Sequence, residues 1–280
     1  MTELDHRLHV YRPDLADERL CGKVEAAAYV AGNPAQFSAP TTPIFRAPRP
    51  DAMQISQGLM GQTVRVFEVK DGWSWVQTDD DSYVGYVGWG LGPDTHAPTH
   101  CVHVPSTLLY PKPDLKSQPV LYLPMNAKLR VTETVENYFA LASGGFVFAK
   151  HLAALNAVEN DFVAVAEGFL NAPYLWGGKT IHGLDCSGLV QTALNACGIA
   201  CPRDSDMQEQ SLGHHLLIND LDGLQRGDLV FWAGHVGIMF NESHLLHANG
   251  FHMQTVIEPL AAAATRIAES QKPITSIKRL

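Results

Sequence analysis

Ile181-His182-Gly183-Leu184-Asp185-Cys186-Ser187-Gly188-Leu189-Val190 is the stretch on which the fold of this 280-residue chain turns. Onward from Cys186, apolar positions fall at 186, 189, 190, 193, 194 and 197, the i, i+3, i+4, i+7 spacing of a helix with one buried stripe. Gly198 supplies the stop. A cysteine in a first helical turn sits among unpaired backbone N–H groups at the positive end of the dipole, which favours thiolate over thiol. The alternative is a small apolar residue opening a core helix, and the rest of the chain decides between the two.

A thiol nucleophile needs a base, and histidine is the side chain suited to that near neutral pH. With 13 histidines, position matters more than presence. Gly227–Trp232 reads as a strand, Ala233-Gly234 as a turn, His235–Phe240 as a second strand, and Asn241-Glu242-Ser243 as a hairpin loop before a third strand, 244–248. With the hairpin centred on Asn241, His235 and His247 face each other, their Cβ atoms about 4.5–5.5 Å apart. One imidazole then exchanges a proton with sulfur while the other fixes its tautomer and orientation. A metal centre is disfavoured: Cys197-x-x-x-Cys201 has no second cysteine pair, and neither His214-His215 nor His100-Cys101-Val102-His103 follows a zinc spacing.

These residues resemble the NlpC-type papain-like peptidases that act on bacterial cell-wall peptides. The resemblance rests on Pro173-Tyr174-Leu175-Trp176-Gly177-Gly178, Gly183-Leu184-Asp185-Cys186-Ser187-Gly188, Pro202-Arg203-Asp204-Ser205, Gly227–Trp232, and His235-Val236-Gly237-Ile238 with Leu246-His247-Ala248. It covers roughly residues 156–280 and implies that Cys186, His235 and His247 are the catalytic residues.

The amino-terminal half carries a faint internal repeat. Ile44-Phe45-Arg46-Ala47-Pro48 lines up with Leu109-Tyr110-Pro111-Lys112-Pro113, Val64-Arg65-Val66 with Leu129-Arg130-Val131, and Tyr83–Val87 with Gly145–Ala149. Short alternating segments broken by turns such as Asp71-Gly72 and Ser143-Gly144-Gly145 argue for two small β-barrels. The expected architecture is α+β: an extension over 1–36 with a helix from about Pro13 to Val30, SH3-like barrels over 37–96 and 97–155, and a peptidase domain over 156–280.

A 46% hydrophobic and 18% charged composition is ordinary for globular domains. Five cysteines, one required as a free thiol, argue against a disulfide framework. A formal charge of −9 disfavours nucleic acid and anionic polymers as partners. Residues 1–10 carry Glu3, Asp5, His6, Arg7 and His9 without an apolar run, and Leu260–Ala264 runs straight into Thr265-Arg266. The expectation is a cytoplasmic protein with neither secretory signal nor membrane span.

Secreted relatives commonly use SH3-like domains to hold the wall, whereas a cytoplasmic enzyme meets imported fragments. The resemblance extends to recycling γ-D-glutamyl-L-diamino acid endopeptidases with SH3-like domains ahead of the peptidase. In these the first barrel closes one end of the cleft, so that only a peptide with a free amino-terminal L-alanine fits. The implied substrate is L-Ala-γ-D-Glu-diamino acid, with diaminopimelate or lysine after the scissile bond, and no cofactor is required. Asp185, Ser187 and Ser205 are implied to bind the substrate's amino-terminal end, Trp176 to wall the pocket, and Tyr83, with Tyr86 second, to reach in from the first barrel. Asp185 reads equally as a helix N-cap, and Tyr83 equally as strand packing. Gln62 stands where such relatives often carry Glu. Two other classes share the pattern: another papain-like amidase or acyltransferase, and an inactive wall-fragment binding protein.

Overall fold

The computed structural model describes residues 4–93, 97–217, 221, 223–270 and 273–280; the barrel boundary expected at residue 96 lies outside them. The chain divides into two compact units, one comprising 1–102 with 106–155, the other 103–105 with 156–280.

Both expected barrels lie in the first unit, and the sequence repeat is a repeat of topology. In the first copy the strands Gln54–Leu59, Thr41–Phe45, Val84–Val87, Trp73–Thr78 and Thr63–Lys70 are adjacent in that order, continuing through Asn33–Phe37 to Leu91–Pro93. In the second copy Leu121–Pro124, Ser106–Tyr110, Phe146–Phe148, Tyr138–Leu141 and Val131–Val135 follow the same order. There the long fourth-to-fifth hairpin strand is interrupted at Arg130, and its other piece, Lys128–Leu129, pairs with His100–Val102 and through it with Leu152–Ala154. Every pairing is antiparallel. Phe37, Ile44, Val64, Val76 and Val87 fill the first barrel. Gly61 joins the copies: its φ of +79° is open to glycine, and a Cβ there would lie 1.8 Å from the Lys128 carbonyl oxygen. The Lys128 N–H donates to Met60 O at 2.8 Å beside it.

The helix expected over Pro13–Val30 does not form. Ala16–Asp17 runs parallel to Tyr29–Val30, with one 3₁₀ turn at Glu18–Leu20 between them. The run Ala26-Ala27-Ala28 favours a helix locally, but Gly22 at φ +77° breaks the path and the barrel offers stronger partners. Val10 is buried with Phe67, Trp75 and Val84, Gln77 Nε2 donates to Leu8 O, and Val84 N–H donates to Arg7 O. The segment is a buttress of the first barrel rather than an extension. The barrel sheet also starts before residue 37, at Asn33.

In the second unit a six-stranded antiparallel sheet runs in the order His214–His215, Ser276–Arg279, Leu229–Trp232, His235–Met239, His244–Asn249, Gln254–Pro259. Among the described residues, four short helices accompany it: α1 (Phe162–Glu167), α2 (Cys186–Ala196), α3 (Ser205–Ser211) and α4 (Leu260–Ser270). α2 packs against the His235–Met239 and His244–Asn249 strands. Leu260, Ala263 and Ile267 of α4 join Val230, Trp232, Met239 and Leu245 in one apolar cluster. Alternate residues of the central strands thus face α4, and all four residues of Leu229–Trp232 are buried.

Candidate active site

α2 begins where the sequence places it. Asp185 is its N-cap, accepting from the Gly188 N–H at 2.7 Å, and the helix ends at Ala196 with Gly198 at φ +71°. The first helical residue, Cys186, is 6% exposed. The backbone N–H groups of Ser187 and of Val236, the residue after His235, act on its sulfur and favour the ionised form. The His235–Met239 strand also packs directly against α2.

The sequence reading favoured thiolate at this position; burial reverses it. Burial and the Asp185 charge push the Cys186 thiol up to about 12 against the pull of the two N–H groups and Arg203. Burial, with the neighbouring His247 and Arg266, holds His235 down at about 3. Both shifts favour the neutral forms, thiol and imidazole.

His235 and His247 do meet, through a register different from the one expected. Ile238 pairs with Leu246 and Met239 with Leu245, so the hairpin centres on Glu242 and His235 is diagonal to His247 rather than opposite it. The slip is two residues, which keeps both side chains on one sheet face. Nε2 of His235 lies 2.8 Å from Nδ1 of His247, a diagonal contact that rings can span.

Two neighbours of His247 escaped the sequence reading. Its Nε2 lies 2.8 Å from Glu258 Oε1, and Glu258 is gripped by Arg266 through Nη1 to Oε2 at 2.8 Å and Nη2 to Oε1 at 2.5 Å. Burial alone would raise the Glu258 carboxyl, but the bonds from His247 and Arg266 outweigh it and bring it to about 2. His247 itself is fully buried and held below its usual range by burial, despite Glu258.

Asp185 settles as a structural carboxylate. Besides Gly188, it accepts from Gly177 N–H at 2.7 Å and from both Arg203 nitrogens, Nη1 to Oδ1 at 3.0 Å and Nη2 to Oδ2 at 2.7 Å. The Ser187 hydroxyl donates to it at 3.3 Å. Those donors fill the roughly four lone-pair sites of a carboxylate, so it is not the unpaired counter-charge for a substrate ammonium that the sequence reading supposed. Arg203, 1% exposed, also donates to Ser187 Oγ at 2.9 Å. Only the Pro202-Arg203-Asp204-Ser205 motif hinted at it; nothing in the spacing pointed to Asp185.

Ser205 opens α3 and is buried, and Gln208 on the same helix donates to Ser187 O at 3.0 Å. Trp176 is 57% exposed. Tyr174 is within electrostatic reach of Cys186 and Asp185, and burial raises its phenol. Tyr83, Tyr86 and Gln62 belong to the first unit. Tyr83 is buried, its N–H donating to Thr78 Oγ1. Tyr86 stacks on Trp75 and lines a cavity of about 310 Å³ with Arg12 and Glu68. Gln62 is buried and its Oε1 accepts from the Leu59 N–H at 2.8 Å, a turn-closing role within its own loop.

Residues 171–268 match the NlpC/P60 family and residues 44–88 the bacterial dipeptidyl-peptidase SH3 domain. The chain is 26% identical over 238 residues to a gamma-D-glutamyl-L-lysine dipeptidyl-peptidase of Bacillus cereus, covering 73% of this chain and 70% of that protein. It is 34% identical over 101 residues to dipeptidyl-peptidase 6 of Lysinibacillus sphaericus, 36% of each chain. The crystal structure of an NlpC/P60 family protein from Bacillus cereus shares the fold, with TM-score 0.74 and 21% identity over 88% of this chain and 99% of that one. With Cys186 at the head of α2 and the histidine pair on the neighbouring hairpin, the carboxy-terminal part of the chain carries a cysteine-peptidase domain of the NlpC/P60 type, preceded by a bacterial SH3 domain.

Proposed function

We propose that this enzyme hydrolyses the γ-D-glutamyl to diamino acid bond of free murein peptides bearing an unblocked amino-terminal L-alanine, releasing L-Ala-D-Glu. The observation that carries the reading is the buried Cys186 thiol at the start of α2, which packs against the His235 strand, with His235 hydrogen-bonded to His247. The name of the Bacillus cereus relative supplies the bond and the exopeptidase habit of removing two residues.

In the reaction His235 takes the thiol proton as sulfur attacks the γ-carbonyl, and backbone N–H groups at the start of α2 face the developing oxyanion. The tetrahedral intermediate expels the diamino acid amine, which receives the proton from His235. Water, deprotonated by the same imidazole, then cleaves the thioester and returns the proton to sulfur. Ser187, Ser205 and Trp176 are the candidates for contacting the substrate's amino-terminal end. Asp185, already saturated, supports that end through Arg203 and Ser187. A requirement for a free amine directs the enzyme to released peptides rather than to peptides still attached to muramyl sugar. Recycling of imported fragments in the cytoplasm is part of the same proposal.

The test is mass analysis after incubation with L-Ala-γ-D-Glu-L-Lys, its diaminopimelate counterpart and their N-acetylated forms. The expected result is two fragments, with one water added, from a free tripeptide and at least about tenfold slower cleavage of its acetylated form, the least that losing one charged hydrogen bond implies. Cleavage at another bond, transfer without water, or no product from any arm overturns the bond assignment; equal rates on free and acetylated peptides overturn the free-amine requirement.

A further inference from the structure

His235, His247 and Glu258 stand on three adjacent strands and share one sheet face. His247 pairs with Val256, so Glu258 is diagonal to His247 in the same way that His235 is on the other side. α4 packs over the edge strand Gln254–Pro259 and its neighbour His244–Asn249 and brings Arg266 down on Glu258, its guanidinium 4.4 Å above the Phe251 ring. A second neighbour competes: Asn249 Nδ2 lies 3.0 Å from the same Nε2 of His247. The Asn249 amide is oriented by its oxygen, which accepts from the His252 N–H at 2.9 Å, so its nitrogen is the atom that faces the ring.

The two neighbours demand opposite tautomers. An ionised carboxylate only accepts, so pairing with Glu258 requires hydrogen on Nε2 of His247 and leaves Nδ1 bare. A bare Nδ1 can only accept from His235, so His235 carries hydrogen on Nε2 and its Nδ1 is bare. Pairing with Asn249, whose amide nitrogen only donates, reverses every step and puts hydrogen on His235 Nδ1. Only the first chain leaves His235 with a lone pair on the nitrogen not engaged with His247. Glu258 is nearer, charged, and held at both oxygens by Arg266, and a charge-assisted bond outweighs a neutral one by roughly a factor of two.

We propose that Glu258, braced by Arg266, is a positioning residue that sets the tautomers of both histidines and so leaves Nδ1 of His235 free to take the Cys186 proton, with Asn249 as the donor it must outcompete. The proposal rests on the peptidase reading of the site and extends its relay to a fourth member.

Two readouts need no substrate and so separate this proposal from the bond assignment. In ¹⁵N-histidine-labelled protein at neutral pH, assigned by single histidine substitutions, the wild type should show protonated Nε2 and bare Nδ1 in both His235 and His247. Glu258→Met should move hydrogen to Nδ1 in both rings and slow alkylation of Cys186 by iodoacetamide at least tenfold. Glu258→Met/Asn249→Leu, which removes the competing donor, should recover part of that rate. With cleavable peptide, Glu258→Met should lower kcat more than tenfold with KM within about twofold, the pattern of a group acting only on the chemical step. Hydrogen on Nδ1 of either ring in the wild type overturns the proposal even where the variants fail to fold. So does an alkylation rate in folded Glu258→Met within threefold of wild type.

Discussion

Replacing Arg203 with methionine isolates the ion pair beneath the nucleophile. Methionine keeps much of the volume of a side chain that is 1% exposed, so the loss is electrostatic. Breaking a buried pair costs about 3–5 kcal/mol when the surviving charge is left alone. Here Asp185 keeps the Gly177 and Gly188 N–H groups at 2.7 Å each, so Arg203→Met belongs near the lower end, about 3 kcal/mol. Asp185→Asn takes away the charge facing the guanidinium and leaves it among neutral acceptors such as Ser187 Oγ at 2.9 Å and Gly178 O at 3.4 Å, so it belongs near the upper end. The double variant should fall short of the sum of the singles by about 2 kcal/mol or more, because neither charge is then stranded. Urea unfolding at pH 7, read by tryptophan emission with slopes checked for equality, measures all four proteins. A coupling below about 0.5 kcal/mol would mean that the pair does not act as a unit and that Asp185 is free to meet substrate. The thiol gives an independent check: Arg203 pulls the Cys186 thiol down and Asp185 pushes it up. Alkylation of Cys186 should therefore slow in Arg203→Met and recover in the double variant.

Cys186→Ala should abolish turnover with the fold intact, since loss of a triad member removes several orders of magnitude in rate; turnover within tenfold of wild type would remove sulfur from the chemistry. His235→Ala should be nearly as damaging, whereas His247→Asn should stay above His247→Ala in kcat because an amide oxygen can still accept from His235 Nε2. Identical kcat in the two His247 variants would argue against an orienting acceptor. Folding should weaken with acid, because His235 falls from 6.5 to about 3 in the folded state. Its contribution is complete above pH 6.5 and is lost as pH drops toward 3, since the unfolded chain takes up a proton that the folded chain refuses. Glu258, lowered from 4.5 to about 2, adds a loss of the same sign as pH falls through that range. The urea midpoint should decline from pH 6.5 to 4 and decline less in His235→Gln; equal slopes in the two proteins would contradict burial as the cause.

What the sequence disclosed about the site was its local part. The start of α2 was legible because a cap, a helical stripe and a terminal glycine all lie within fourteen residues, 185–198, and agree. The hairpin was legible as two strands about a short loop, and the loop residues were the right ones. The error in its centre came from Asn241, which is the first loop residue: its Oδ1 accepts from the Ser243 and His244 N–H groups, and Phe240 N–H donates to His244 O. An error of one residue would have sent His247 to the opposite face; an error of two left the chemistry intact.

The partners that fix the chemistry were illegible because each is made by tertiary packing between separate elements. Glu258 sits eleven residues from His247 and reads, in Thr255-Val256-Ile257-Glu258, as the exposed end of a strand. Arg266 reads as the polar face of a surface helix until α4 lies across that strand end and converts two solvent charges into a clamp on one imidazole. Arg203 follows Pro202 in a loop eighteen residues from Asp185, and no periodicity records that it is buried. The amino-terminal segment failed for the same reason from the other side, its local helical preference being overruled by barrel residues such as Trp75 and Gln77 more than fifty positions away. Cys186 shows the consequence for function. Its position at a helix start predicts a thiolate, yet the packing that buries it reverses that prediction. In the proposed reaction the proton therefore leaves during attack, which ties the rate to the tautomer of His235 and so to the carboxylate two hydrogen bonds further on.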